Sequence, residues 1–443
     1  MGDALRISPA ICSNRRMDAQ PPAAEDLHLP ISLAWAKGAY TVSIDFGSQA
    51  REARLILDTG SSTLVVLPHA YAPDDDAALD ATSWAQQLHY GRGHWTGPVV
   101  RTRVAFGDAP RACGLEDAQV ALATTGAEDF HDADGIFGLA YGGLDTGHDM
   151  ARLLAARGVD PALTWPWPFG GTQDADADAL AGLIVQQPPV ALAPLFSQLA
   201  ARGRVRDRFG LLVHRALVHV GEAGADDAAL DADPLNRGVL VLGGGEACGE
   251  LHDGAFQDIR IVHDLYYNAG LVAVQVGDGP RIPVPPLDAV YADRAASNAI
   301  LDTGSSFVVL EQGVHDAVMA DLGRLDPRLP ALAQRFRAQF GKDGQGVPNA
   351  EVEALDWPVL TFHLEADDGG EVALACGPEA YWPRNAMSAG QAFFLLMPQL
   401  PGWPNQSILG LPLMAGRFCV FDRDADGGRG RVRVASARPP AGA

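Results

Sequence analysis

Residues 56–62 read ILDTGSS, and residues 300–306 read ILDTGSS again. Each copy ends an apolar run in an aspartate and then turns sharply through Thr-Gly-Ser. Each is also followed downstream by an apolar-apolar-glycine run, Ile136-Phe137-Gly138 after the first copy and Ile408-Leu409-Gly410 after the second. Two copies are too few for a solenoid, so the pattern predicts one design used twice, in two lobes.

From Tyr40 onward, short β-rich runs alternate with turn signals: YTVSIDFG, ARLILD, TLVVLP, VVRTRVAFGD and VLVLGGG. This predicts an all-β chain with a few short helices. Helical periodicity is confined to residues 150–157, 194–202, 314–322 and 332–340. The stretch 222–237 is rich in Ala, Asp and Gly with little to bury and reads as a connecting segment. The expected organisation is an N-terminal extension (1–36), an N-terminal lobe (37–221), the connection (222–237), a C-terminal lobe (238–435) and a short tail (436–443). Residues 145–189 carry TWPWPFGG and QDADADA and read as an insertion or long surface loop.

An aspartate at the mouth of a buried strand suits acid–base chemistry. If the lobes bring Asp58 and Asp302 to hydrogen-bonding distance, two like charges about 3 Å apart cannot both ionise, and the dyad holds one proton. The ionised member can then take a proton from a bound water while the protonated member polarises a scissile carbonyl. The proton belongs to the pair, so neither residue is assigned acid or base. Gly60 and Gly304 permit close backbone approach and positive φ, turning amides toward the carboxylates. The hydroxyls of Ser61 and Ser305 can donate to the outer carboxylate oxygens. Thr59 and Thr303 can lock the two turns together. Asp145-Thr146-Gly147 is a third triplet, but His148 follows it and no apolar strand leads in, so it reads as a turn.

The 443 residues are 47% hydrophobic, enough for a substantial core. With 33 basic and 55 acidic side chains the net charge is −22, a field that repels phosphate backbones and anionic membranes. Nucleic acid and membrane are therefore not expected partners. The five cysteines (Cys12, Cys113, Cys248, Cys376, Cys419) lack any Cys-x-x-Cys pair and read as free thiols, with Cys376 and Cys419 the one pair a fold could bring together. The histidines show no metal spacing, no Gly-x-Ser-x-Gly elbow is present, and Gly243-Gly244-Gly245 lacks the phosphate-loop pattern. The run at 422–427 imitates a calcium loop, but Arg433 stands where its closing glutamate belongs, so it reads as a hairpin turn. No cofactor and no metal are expected. Residues 1–26 offer no continuous apolar stretch of the kind a secretory signal needs, which favours a cytoplasmic location.

The chain resembles the pepsin-like family of aspartic proteases over residues 40–434. The resemblance rests on both DTGS motifs, on DGIFGLAY (134–141), on VLVLGGGEACGELHDGAFQDIRIV from Val239, on WPVLTFHL (357–364) and on SILGLPLMAGRFCVFDRD (407–424). It implies a bilobal pepsin-like acid protease fold with a central cleft, a monomer, and an extended polypeptide substrate with hydrophobic residues at the cleaved bond. An acidic optimum and inhibition by statine-type compounds are also implied. HYGRGHWTG (89–97) is similar to the family's flap hairpin, making Tyr90 the implied flap tyrosine with Gly91 beside it. The sequence departs from the pattern at Val65, where many members carry a tryptophan. A catalytically silent relative that binds proteins or inhibits other enzymes is the competing reading; such relatives usually lose a catalytic aspartate, and this chain keeps both.

Overall fold

A computed structural model of the full chain describes residues 26–89, 93–107, 113–126, 130–169 and 174–439, with backbone alone for 174–177. The architecture is the all-β, bilobal pepsin-like fold: strands predominate and a few helices sit at the periphery. The four segments with helical periodicity form helices at Ala151–Ala156, Leu195–Ala201, Gln312–Leu325 and Arg328–Asp343.

The repeat in sequence is a repeat in topology. Strand Arg51–Asp58 runs parallel to Gly135–Gly138, with Asp58 opposite Gly138. Leu64–Val66 then runs antiparallel to Gly135–Gly138 and parallel to Cys113–Leu122. In the second half Ala299–Leu301 runs parallel to Ser407–Leu409. There Val308–Leu310 runs antiparallel to Ser407–Leu409 and parallel to Leu396–Pro398. The downstream glycines have a steric reason. A Cβ on Gly138 would lie 2.4 Å from the carbonyl carbon of Ser62, and one on Gly410 would lie 2.2 Å from the carbonyl oxygen of Phe307. Each glycine lets its strand close over the aspartate loop. Leu57 and Leu301, one residue before each aspartate, are buried, as are Phe137 and Leu409 opposite them. Burial of such a side chain contributes about 1.5–3 kcal/mol, which anchors each loop.

Six strands among the described residues form an antiparallel sheet that draws on both halves of the chain. Its order is Leu27–Ser32, Arg237–Leu242, Arg208–Val213, Arg417–Asp422, Arg431–Ala437 and His252–His263. Leu27–Ser32, within the segment read as an extension, joins this sheet to strand Thr41–Phe46, with Ile31 opposite Val42 and Ser32 opposite Thr41. The segment 222–237 contains the short helix Asp227–Ala232, capped by the Asp226 carboxylate, which accepts from the Ala229 N–H at 2.8 Å. The run at 422–427 sits in the turn between strands Arg417–Asp422 and Arg431–Ala437, as its reading predicts.

One expectation is corrected and one open possibility is closed. The stretch 145–189 is not a plain surface loop: it holds strand Thr146–Asp149 and helix Asp174–Val185, and Leu180 and Ile184 of that helix are buried against Ala85, Met150 and Leu154. Its apolar positions are few and sit among Ala and Asp, so periodicity gave no warning. Cys376 and Cys419 do not pair: both are free and buried, and the Cys376 thiol donates to the Pro412 carbonyl at 3.6 Å. Cys113 and Cys248 are free as well.

Candidate active site

The two aspartate loops meet at the junction of the halves and lock each other. The Thr59 N–H donates to Thr303 Oγ1 at 3.0 Å, and the Thr303 N–H donates to Thr59 Oγ1 at 2.9 Å. Each hydroxyl in turn donates across the junction, Thr59 Oγ1 to the Leu301 carbonyl at 2.9 Å and Thr303 Oγ1 to the Leu57 carbonyl at 2.8 Å. Both threonines are buried, so all four bonds lie where water cannot replace them.

This lattice places the carboxyls of Asp58 and Asp302 side by side, hydrogen-bonded to each other. The glycines form the walls between them. A Cβ on Gly60 would stand 2.7 Å from Asp302 Oδ1, and one on Gly304 would stand 2.5 Å from Asp58 Oδ1. Each glycine thus backs onto the carboxylate of the other half. Their requirement is closeness rather than handedness, because neither adopts positive φ, contrary to the sequence expectation. Their amides do turn inward: Gly60 N–H donates to Asp58 Oδ1 at 2.7 Å and Gly304 N–H donates to Asp302 Oδ1 at 2.9 Å.

Identical residues then diverge. The Ser61 hydroxyl donates to Asp58 Oδ2, as expected. The Ser305 hydroxyl does not reach Asp302; it donates to the Phe307 carbonyl at 2.9 Å, and Ser305 serves Asp302 through its backbone N–H. The reason is local, since the hydroxyl closes a tight turn that also receives the Phe307 N–H at 3.3 Å. Asp302 is held well above the ordinary carboxylate range, first by burial, then by the charge of Asp58 and by their mutual hydrogen bond. The amides of Gly304 and Ser305 pull the other way and are outweighed.

Three neighbours have surroundings that the sequence did not reveal. The Tyr266 phenol is pushed up by burial and then by the charges of Asp302 and Asp58, which puts it within electrostatic reach of both. The adjacent pair Tyr266-Tyr267, just ahead of a β run, was the available signal. Asp145, in the third triplet, closes a turn through its N–H to the Gly142 carbonyl, as the turn reading requires. Its side chain, however, is buried and accepts from Thr63 Oγ1 at 3.0 Å and from Gln86 Nε2 at 2.9 Å. Burial raises its pKa to about 6 against the pull of those two donors. Finally, Val65 is fully buried in a cluster with Ile56, Ile136 and Trp95, so an indole from a different strand belongs to the same cluster.

Strands Asp80–His89 and His94–Phe106, which flank the tip of the hairpin expected as a flap, pair antiparallel down to His89 opposite His94. Tyr90 and Gly91 lie outside the described residues. Among the described residues no helix is long and apolar enough to cross a membrane.

Comparison with known proteins points the same way as the geometry. A family model described as eukaryotic aspartyl protease matches residues 39–156, the segment that holds Asp58 and the hairpin. A protein named beta-secretase from Strongylocentrotus purpuratus is 20% identical over 404 residues, covering 87% of this chain. The aligned region covers 64% of that relative's length, so this chain spans under two thirds of it.

Proposed function

As a member of the pepsin-like aspartic protease family, this chain is, we propose, an endopeptidase whose Asp58 and Asp302 activate a water molecule to attack an internal peptide bond. The observation that carries this reading is the pair of hydrogen-bonded carboxyls at the junction of two duplicated halves, with both Thr-Gly-Ser turns intact. A single proton shared by two adjacent carboxyls is what the reaction requires.

The environments favour a division of labour. Asp302 has its pKa raised by desolvation and by the charge of Asp58, and in this reading it is the member that starts with the shared proton. Asp58, which accepts from Gly60 N–H and Ser61 Oγ, is provided with donors suited to an anion. Asp58 takes a proton from water as the oxygen attacks the carbonyl carbon, and Asp302 donates its proton to the carbonyl oxygen. The resulting gem-diol collapses when the amide nitrogen receives the proton held on Asp58; the C–N bond breaks and the second hydroxyl returns its proton to Asp302. The dyad ends as it began, and hydrolysis consumes one water.

The substrate in this reading is an extended polypeptide lying between the halves, closed over by the hairpin of Asp80–His89 and His94–Phe106. The sites are Asp58 and Asp302, supported by Thr59, Gly60, Ser61, Thr303, Gly304 and Ser305. The test is cleavage of a denatured protein from pH 3 to pH 7 by the wild type, Asp58→Asn and Asp302→Asn, with and without a statine inhibitor. Loss of about 10³-fold or more in kcat/KM in each variant is expected, since each removes a group that moves a proton in the transition state. Activity surviving either substitution would sink the dyad mechanism.

A further inference from the structure

The last cross-strand pair of the hairpin is His89 opposite His94. Their imidazoles stack, with ring centroids 5.3 Å apart and planes 21° from parallel. Asp178, on helix Asp174–Val185, comes down beside them. One donor atom from each of these three residues lies within 4.8 Å of the other two. His94 Nε2 is buried and has no hydrogen-bond partner among the described residues, which is costly for a polar nitrogen. The same helix packs its buried Leu180 and Ile184 against Ala85 of the hairpin. The insertion therefore backs the hairpin with an apolar seam and sets a carboxylate next to two imidazoles.

We propose that His89, His94 and Asp178 form a binding site for a zinc-class divalent cation, which ties the hairpin to the inserted helix. Two imidazoles and one carboxylate suit Zn²⁺, Co²⁺ or Ni²⁺ and do not suit Mg²⁺ or Ca²⁺, which prefer all-oxygen shells. Metal–ligand bonds near 2.1 Å in a tetrahedron separate ligand atoms by about 3.4 Å. Closing the trio to that spacing requires rotations of exposed side chains, available to His89 and Asp178. The bound cation would give His94 Nε2 the partner it lacks and leave a fourth position to water. Because the trio joins two elements, an occupied site resists separation of hairpin from helix. Where that hairpin admits substrate, which rests on the endopeptidase reading, the cation slows cleavage.

The test uses the full chain in a Cys248→Ser background, which removes the thiol of the other mixed-donor cluster, His28, Cys248 and Glu250. Zn²⁺ is titrated calorimetrically and Co²⁺ by its visible absorption, and the background protein is compared with the same protein carrying His89→Ala or Asp178→Asn. One equivalent of Zn²⁺ is expected, with a tetrahedral Co²⁺ spectrum and an affinity about tenfold or more weaker in each variant. Unchanged stoichiometry and affinity in both variants, or no binding by the background protein, would overturn the site. A second arm measures peptide cleavage with and without Zn²⁺. Inhibition of the background protein that is relieved in Asp178→Asn supports the tether, and binding without inhibition overturns the tether while leaving the site. A protein that binds Zn²⁺ but never cleaves would count against the endopeptidase reading alone.

Discussion

The loop at Asp58 and the loop at Asp302 share seven consecutive residues and the same strand pairings, yet they treat their carboxylates differently. Identity ends at Thr63 in one and Phe307 in the other. Thr63 donates its hydroxyl to the buried Asp145 carboxylate, while Phe307 lends its carbonyl to the Ser305 hydroxyl and its ring packs near Phe340, centroids 6.3 Å apart. The two serine hydroxyls thus part company, one spent on the carboxylate and the other on the backbone just beyond the repeat. The lesson is that a dyad needs two similar loops for its geometry and two dissimilar surroundings for its chemistry.

The symmetric part of this comparison can be broken from either side. Gly60→Ala pushes a methyl into Asp302, and Gly304→Ala pushes one into Asp58, each well inside contact distance. Both should lower kcat/KM by about 10²-fold or more, because small displacements of reacting groups are that costly. A marked effect of only one substitution would show that the junction is less symmetric than its hydrogen bonds.

Next in size is the buried carboxyl attached to the first loop. Asp145 has its pKa raised from the ordinary value to about 6. A raised carboxyl pKa means that the stability present in acid is lost as pH rises through the folded value, here between about pH 4 and pH 6. Asp145→Asn should therefore stabilise the protein by about 2–3 kcal/mol at pH 8 and have little effect at pH 3.5, as read by chemical denaturation at the two pH values. Equal effects at both would mean that the carboxyl titrates normally. The raised pKa of Asp302 has the same sign, so Asp302→Asn should also gain relative stability as pH increases.

The smallest effect is the sharpest probe of the difference. Ser61→Ala removes a donor from the Asp58 carboxylate and should lower kcat/KM by about tenfold. Ser305→Ala leaves the Asp302 carboxyl with its backbone donors and should change kcat/KM little. Matching losses in the two variants would erase the asymmetry.

Much of this was legible in the sequence, and for a physical reason. An aspartate that ends a buried strand before a tight turn is fixed by local pattern, and duplication supplies the partner. The threonine lattice and the downstream glycines follow from the same signals, as do the free, unpaired thiols. What escaped depends on contacts between distant segments. Ser61 and Ser305 are indistinguishable in sequence because the repeat offers each the same aspartate; the acceptor that Ser305 takes instead, the Phe307 carbonyl, lies one residue beyond it. The burial of Asp145 depends on Gln86, whose strand arrives from elsewhere in the chain. Helix Asp174–Val185 was missed because three or four apolar residues among alanines and aspartates form too short a stripe to register.

The order in which the chain is made gives the cross-strand pairing of the second loop another meaning. Strand Ala299–Leu301 finds its parallel partner in Ser407–Leu409, about a hundred residues later, and the shared sheet is completed by Arg431–Ala437 near the C-terminus. While a ribosome still holds those last strands, Asp302 lacks the scaffold that brings it to Asp58, and the chain emerging from the tunnel carries half of its dyad without the means to use it. Vectorial synthesis thus delays the completed site until the strand Arg431–Ala437 has left the ribosome.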